Sequence, residues 1–304
     1  MWLLPLQADL PVERRDVTAL TGIAAITFDF GNTLVPVTRS ALRQVVEGTA
    51  DAVCGRWPDL DHEAFLVIWA EERERQFREE VPQFREVDLA QRLVRVFARL
   101  RGMEPPPAGR IWDDARAAER SDPADVRWAI EQYSRAFVDG LPPAPGAGEL
   151  LERLAATRML AILSNWPLAA TIDRYADAHG WTAHLRAIVV SQRVGTIKPH
   201  PAIFDAARTA LGDPSPASIL HVGDDWAADV VGAAAAGWRT AWVSSRPHES
   251  PLPSSERDGS VVPDLELATL DELEARLAPN DQATDAGPGA RSSFARTSDG
   301  TLAR

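Results

Sequence analysis

Four segments of this chain place reactive side chains just after short apolar runs. The first reads Phe28-Asp29-Phe30-Gly31-Asn32-Thr33-Leu34 and the second Ser164-Asn165-Trp166. The third is Gly195-Thr196-Ile197-Lys198-Pro199, and the fourth runs from Gly223-Asp224-Asp225 to Asp229. Together they offer a carboxylate nucleophile, a hydroxyl donor, a cation and a carboxylate pair for a metal ion. Lys198 is the only lysine in the chain, and every other basic side chain apart from histidine is arginine. A lone lysine marks a place where a compact ammonium is required and a planar fork is not.

The elements that must position these groups are short buried strands. Apolar runs over 23–28, 159–163, 187–190, 218–222 and 238–243 alternate with helical patterns over 147–157, 168–179, 201–211 and 226–236. That alternation predicts crossover units and a parallel sheet. In such a sheet ligands bind beyond the carboxyl ends of the strands, where the four segments fall. Between the first strand and the second lie about 100 residues of helical pattern, rich in Glu and Arg and punctuated by Pro82, Pro105-Pro106-Pro107 and Pro123. The expected organisation is a leader over 1–21, an α/β core over 22–36 and 143–250, and an all-helical insert over 37–142. A C-terminal loop and helix would follow over 251–278, with the helix at about 269–278, and then a disordered tail over 279–304. The fold class is α/β, a Rossmann-like parallel sheet with an inserted helical domain.

The four segments, in this order, resemble the motifs of the haloacid dehalogenase-like (HAD) hydrolase superfamily, over roughly residues 22–245. The helical insert matches the position of that family's mobile cap. The resemblance implies that Asp29 attacks phosphorus and carries an aspartyl-phosphate. It assigns Mg²⁺ to the Asp29 carboxylate, the Gly31 carbonyl and Asp224, with Asp225 as neighbour or substitute. Lys198 would neutralise Asp29 and a phosphate oxygen. Ser164 and Asn165, with the backbone N–H groups of Asn32 and Thr33, would complete the phosphate site, and Asp229 would orient Lys198. The implied substrate is a small phosphorylated compound.

One position departs from the family's phosphatases. They carry a second Asp two residues after the nucleophile, which protonates the leaving oxygen; here that residue is Gly31. Losing a general acid typically costs ~10²–10⁴ in rate. Three readings follow: a phosphatase for aryl, acyl or otherwise activated phosphates; a dehalogenase-type carbon hydrolase; or a phospho-ligand binder that keeps the fold. Phosphonate cleavage through a cap lysine is excluded, because the insert contains no lysine.

Composition narrows the partners. The chain has 304 residues and a net charge of -12, with 44 acidic against 32 basic residues, which argues against a nucleic-acid binder. No apolar run approaches the ~20 residues of a membrane span, and the N-terminus lacks the basic start of a secretory signal. Cys54 is the only cysteine, so no intrachain disulfide forms and a cytoplasmic location is expected. Trp166 and Trp226, each two residues past a candidate site position, are candidates for the pocket wall. Trp57, Trp69, Trp112 and Trp128 belong to the core of the insert. The 71–80 segment reads as a solvated helix face, with Glu71–Arg75 and Glu74–Arg78 as i,i+4 pairs.

Overall fold

In the computed structural model, residues 19–107, 119 and 121–279 are described. The expected leader falls largely, the expected tail almost entirely, and Trp112 wholly, outside these residues. Six strands form one parallel sheet: β1 (Ala25–Phe28), β2 (Met159–Ser164), β3 (Ala187–Val190), β4 (Ile219–Gly223), β5 (Arg239–Val243) and β6 (Leu265–Leu267). Their order is β3-β2-β1-β4-β5-β6. Every residue of β1 is buried, as a strand covered on both faces requires. Its neighbours are in register, Phe28 opposite Ile162 on one side and Val222 on the other. The ladder runs one residue further, because the Asp29 N–H donates to the Val222 carbonyl at 2.8 Å. Asp29 is thus held at the mouth of the sheet, at its most central strand.

Two expectations fail at the C-terminal end. The sheet gains β6, whose three-residue run is too short to show periodicity. The helix expected over 269–278 is instead two 3₁₀ turns, Leu270–Glu272 and Glu274–Arg276. There Leu270, Leu273 and Leu277 are buried against the core, so packing, not helical hydrogen bonding, fixes that segment.

Between β1 and β2, ahead of the helix Ala147–Ala155 that leads into β2, the described residues form four insert helices, Arg39–Arg56, His62–Glu79, Leu89–Leu100 and Pro123–Gly140. Each begins at a capping side chain: Thr38, Asp61, Asp88 and Asp122 accept backbone N–H bonds from Ala41, Ala64, Gln91 and Ala124. The 71–80 segment is not a solvated face. Glu72 is buried and takes Arg75 from its own helix and Arg95 and Arg99 from the next, while Arg75 also pairs with Glu79, so the contacts run both along and between helices. Burial would raise the Glu72 carboxyl, but these three guanidinium groups hold it below its ordinary range. Trp57, Trp69 and Trp128 pack in the insert as expected, Trp57 edge-on to Trp128 and Trp69 stacked on Phe65 and Tyr133. The insert meets the sheet through an aromatic cluster: Phe137 contacts Phe30 and Trp166, and Tyr175 donates its hydroxyl to the Leu141 carbonyl.

Candidate active site

The loop after β1 turns sharply. Asn32 adopts φ 60°, a left-handed conformation that Asn tolerates better than most residues. Its N–H donates to the Val35 carbonyl at 2.7 Å, and its Oδ1 accepts from the Val37 N–H. The Asn32 N–H is therefore spent inside the turn, contrary to its expected role toward phosphate. The Asn32 side chain reaches Ser250 instead, at 3.0 Å, and Asp224 at 3.4 Å.

Lys198 reaches under this loop. It is buried, and its Nζ donates to Asp29 Oδ1 at 2.9 Å, to Asp229 Oδ1 at 2.6 Å and to the Leu163 carbonyl at 2.9 Å. All three ammonium protons are placed. Asn165 holds the backbone of Lys198 in both directions: Oδ1 accepts the Lys198 N–H at 2.7 Å, and Nδ2 donates to the Lys198 carbonyl at 3.0 Å. Its amide positions the lysine loop and is not free for a ligand, which corrects its expected role at phosphate. Ser164, at the end of β2, has a buried hydroxyl with no partner among the described residues. The indole Nε1 of Trp166 is also buried and unpartnered, and this ring lines the cavity above the site.

Asp229 sits behind Lys198. A π-helical turn, Trp226–Val231, folds it back over Gly223. A Cβ on Gly223 would stand 2.2 Å from the Asp229 Cγ, so only glycine permits this approach. Asp229 Oδ1 also meets His221 Nε2 at 3.0 Å, while His221 Nδ1 lies 2.8 Å from the Thr27 hydroxyl. Burial lowers the His221 pKa. A neutral imidazole then donates to Asp229 and accepts from Thr27. Burial would raise Asp229, but Lys198 and His221 hold it far below the ordinary carboxylate range. Burial likewise opposes the charge of Lys198, and Asp229 and Asp29 overcome it. At Asp29 burial pushes the carboxyl up, Lys198 pulls it down and Asp229 pushes it up again, for a net rise. Ionisation of this carboxylate depends on the neighbouring ammonium.

Asp224 completes the floor. Arg246 Nη1 donates to its Oδ2 at 2.8 Å. Burial, then the charges of Asp29 and Asp229, push its carboxyl up to about 8 despite Arg246. Asp225 does not join the group. Its Oδ1 accepts from the Ala228 N–H and the Ser255 hydroxyl, and its Oδ2 from the Ser255 N–H, so its expected service to a metal is pre-empted by capping.

Three carboxylates converge at the floor as candidate ligands for a divalent ion. Carboxylate oxygens of Asp29, Asp224 and Asp229 lie within 4.8 Å of one another. Asp229 is fully engaged by Lys198, His221 and the Asp225 N–H, which leaves Asp29 and Asp224 facing the cavity. Two hard oxygen ligands with room for waters suit Mg²⁺. Burial first, and then neighbouring carboxylates, raise both carboxyls; a divalent ion would offset both effects, so the residues fit such an ion, with Arg246 as its competitor at Asp224.

Four groups in and around the site carry no spacing signal in the sequence. His221 lies inside β4, and Arg246 lies three residues beyond β5, the one strand end that seemed to lack a polar group. Residues 246–255 fold across the site as a strap: Ser250 bonds Asn32, the Pro251 carbonyl accepts from Arg73 at 2.6 Å, and Leu252 covers Gly31. A Cβ on Gly31 would meet the Leu252 Cδ1 at 2.7 Å, so the space of the missing acid is filled by leucine. Glu86, from the insert, accepts from Ser191 beside Trp166. Trp226, a candidate for the pocket wall, takes the packing role, edge-on against Trp242, and donates to Asp258. Above the floor lies a cavity of about 720 Å³, walled by the insert through Trp69, Arg73, Phe77, Arg92 and Tyr133.

Known proteins resemble this chain in sequence profile and fold. The profile described as "haloacid dehalogenase-like hydrolase" matches residues 23–237. The chain is 29% identical over 147 residues to the pyrimidine 5'-nucleotidase YjjG of Escherichia coli K12, a match covering 48% of this chain and 62% of that protein. A solved 2-haloacid dehalogenase from Pseudomonas syringae pv. Tomato superposes with TM-score 0.57 at 21% identity, over 84% of this chain and 97% of that one. The HAD hydrolase YfnB of Bacillus subtilis, solved with magnesium, gives 0.53 at 19%, over 84% and 99%. The two structural likenesses speak for the fold, and the profile match settles the family. This chain belongs to the haloacid dehalogenase-like hydrolases.

Proposed function

We propose that the protein is a Mg²⁺-dependent phosphatase acting on a small phosphorylated compound, with Asp29 as nucleophile. The observation that carries this reading is the Lys198 ammonium shared between Asp29 and Asp229 at the floor of the cavity, with Asp224 opposite. Asp29 attacks phosphorus, the bond to the leaving oxygen breaks, and water later hydrolyses the aspartyl-phosphate. Lys198 holds Asp29 ionised and aimed, and offsets charge on the transferring group. The orphan hydroxyl of Ser164 supplies a further donor. A bound Mg²⁺, held by Asp29, Asp224 and the Gly31 carbonyl, would offset the repulsion between nucleophile and phosphate. The insert acts as the cap that excludes water. With Leu252 over Gly31, no acid serves the leaving oxygen from that position. Substrates whose leaving group needs no proton, aryl and acyl phosphates, are therefore favoured.

A second reading rests on Arg246. Its ion pair compensates Asp224 without any metal ion, and an Asp29 carboxylate could then displace halide from carbon. One experiment separates the two. Aryl, acyl and sugar phosphates, and a 2-chlorocarboxylic acid, are assayed with and without Mg²⁺, with Asp29→Asn alongside. Mg²⁺-dependent phosphate release, fastest on aryl and acyl esters and lost in Asp29→Asn, supports the phosphatase. Halide release without metal supports the alternative. Binding of phosphate compounds with no turnover of any of them would leave a ligand-binding protein.

A further inference from the structure

The roof of the cavity carries a charge that the phosphatase chemistry does not use. Arg92, on the helix Leu89–Leu100, is only 4% exposed. Its Nε donates to Gln76 Oε1 at 2.8 Å, and its guanidinium lies 5.1 Å from the centre of the Trp69 ring. Among the described residues no carboxylate lies within ion-pairing distance of it, and no protein acceptor meets its two Nη groups. The other arginines of this helix behave differently: Arg95 and Arg99 both pair with Glu72. Arg73, from the preceding helix, lines the same cavity over the Phe77 ring, with one Nη on the Pro251 carbonyl and, among the described residues, no carboxylate partner. The nearby acids Glu80 and Glu86 make no ion pair with it. Glu80 lies 3.8 Å from Arg75, and Glu86 accepts from Ser191 and the Val87 N–H.

A buried guanidinium without a counterion is costly, and such groups are retained where an anion completes them. Because Nε is already bonded, the edge left over is the pair of Nη groups, whose parallel N–H bonds match the two oxygens of one carboxylate or phosphoryl group. Between this edge and the anionic floor, the walls are Trp69, Phe77, Tyr133 and Trp166, which suit a flat or apolar body.

We propose that Arg92, seconded by Arg73, forms a second anion subsite in the roof of the cavity. The substrate is then a phosphate ester with a flat or apolar body and an anionic oxygen group, carboxylate or phosphoryl, at its far end. This deepens the phosphatase reading and rests on it for the position of the reacting phosphate.

The test compares phenyl phosphate with 3- and 4-carboxyphenyl phosphate and 1,4-phenylene bisphosphate, in the wild type, Arg92→Gln and Arg92→Lys. The wild type is expected to favour a doubly anionic ester through a lower KM. In Arg92→Gln the ratio of kcat/KM for that ester over phenyl phosphate falls about 10- to 100-fold, the range of a charge-assisted bidentate contact. Arg92→Lys, which keeps charge without the fork, recovers part of the ratio and checks that folding is intact. Which second group gains more, carboxylate or phosphoryl, tells the two sources apart. Equal losses on all esters, or no wild-type preference, overturn the subsite. Calorimetric binding of benzylphosphonate against 4-carboxybenzylphosphonate makes the result independent of turnover. An Arg92-dependent preference with no turnover upholds the subsite while the phosphatase reading falls, and turnover without preference does the reverse.

Discussion

Replacing Lys198 by Met removes one buried charge and strands two others. The ammonium makes three bonds of 2.6–2.9 Å, two of them to carboxylates. The side chains of Lys198 and Asp229 are 1% and 2% exposed, so solvent cannot replace what is lost. Breaking a buried pair by removing one partner costs about 3–5 kcal/mol. For a domain of this size that is a fall of roughly 6–20 °C in Tm. The deficit depends on pH. Asp229, held low by Lys198 in the wild type, loses its counterion, and its carboxyl rises. The variant then gains stability as pH falls and protons neutralise Asp229 and Asp29, so its deficit is larger at pH 8 than at pH 5. Asp229→Asn added to Lys198→Met should recover a large part of the loss, because one stranded charge is gone. Thermal melts of the three proteins at both pH values decide the matter. A fall of under 2 °C with no pH dependence, or no rescue by Asp229→Asn, would refute the view that this ammonium holds two carboxylates together.

Further outcomes are expected elsewhere. Burial, against bonds from Ser191 and the Val87 N–H, lifts the Glu86 carboxyl to about 7. The folded chain keeps that proton after the unfolded chain has lost it, so its contribution is full below pH ~4.5 and is lost as pH rises toward 7. Urea titrations should show wild-type stability falling by about 2–3 kcal/mol relative to Glu86→Gln across that window, and parallel curves would contradict the assignment. Gly31→Asp combined with Leu252→Ala places a carboxyl where the strap now sits; a gain of about 10- to 100-fold on alkyl phosphates is expected, and no gain would show that leaving-group protonation is not limiting. Arg246→Gln removes the cation beside Asp224, so Mn²⁺ binding followed by electron paramagnetic resonance should tighten about tenfold; unchanged or weaker binding would remove Arg246 as a competitor for the metal.

The chain shows its sheet plainly because buried parallel strands are continuous apolar runs, and β1 through β5 each contain one. The reactive groups are legible for a related reason: each stands in the connection that follows a strand, Asp29 and Asp224 directly and Lys198 and Asp229 further along, where topology brings it to the mouth of the sheet. Asp29, Lys198, Asp224 and Asp229 meet there. What escapes such a reading is contact made across the chain. Arg246 is one arginine among many until the strap folds back to Asp224. His221 alternates within an otherwise apolar strand, and only the neighbouring Thr27 and Asp229 give it a role. Asn165 stands beside a site residue, but its amide is spent on the backbone of Lys198. The Glu/Arg repeat over 71–80 pairs differently from its spacing, because Glu71 turns to Arg99 on the next helix and Arg75 to Glu72 and Glu79. β6 is too short for any period to register.

The central claim is that the Asp29 carboxylate takes up phosphorus. The direct measurement is rapid acid quenching of the enzyme during turnover of phenyl phosphate with Mg²⁺, followed by peptide mass spectrometry. The account predicts one phosphoryl group on the peptide that contains Asp29, and none in Asp29→Asn. Steady release of inorganic phosphate with that peptide unmodified, or with Asp29→Asn as active as the wild type, would contradict it.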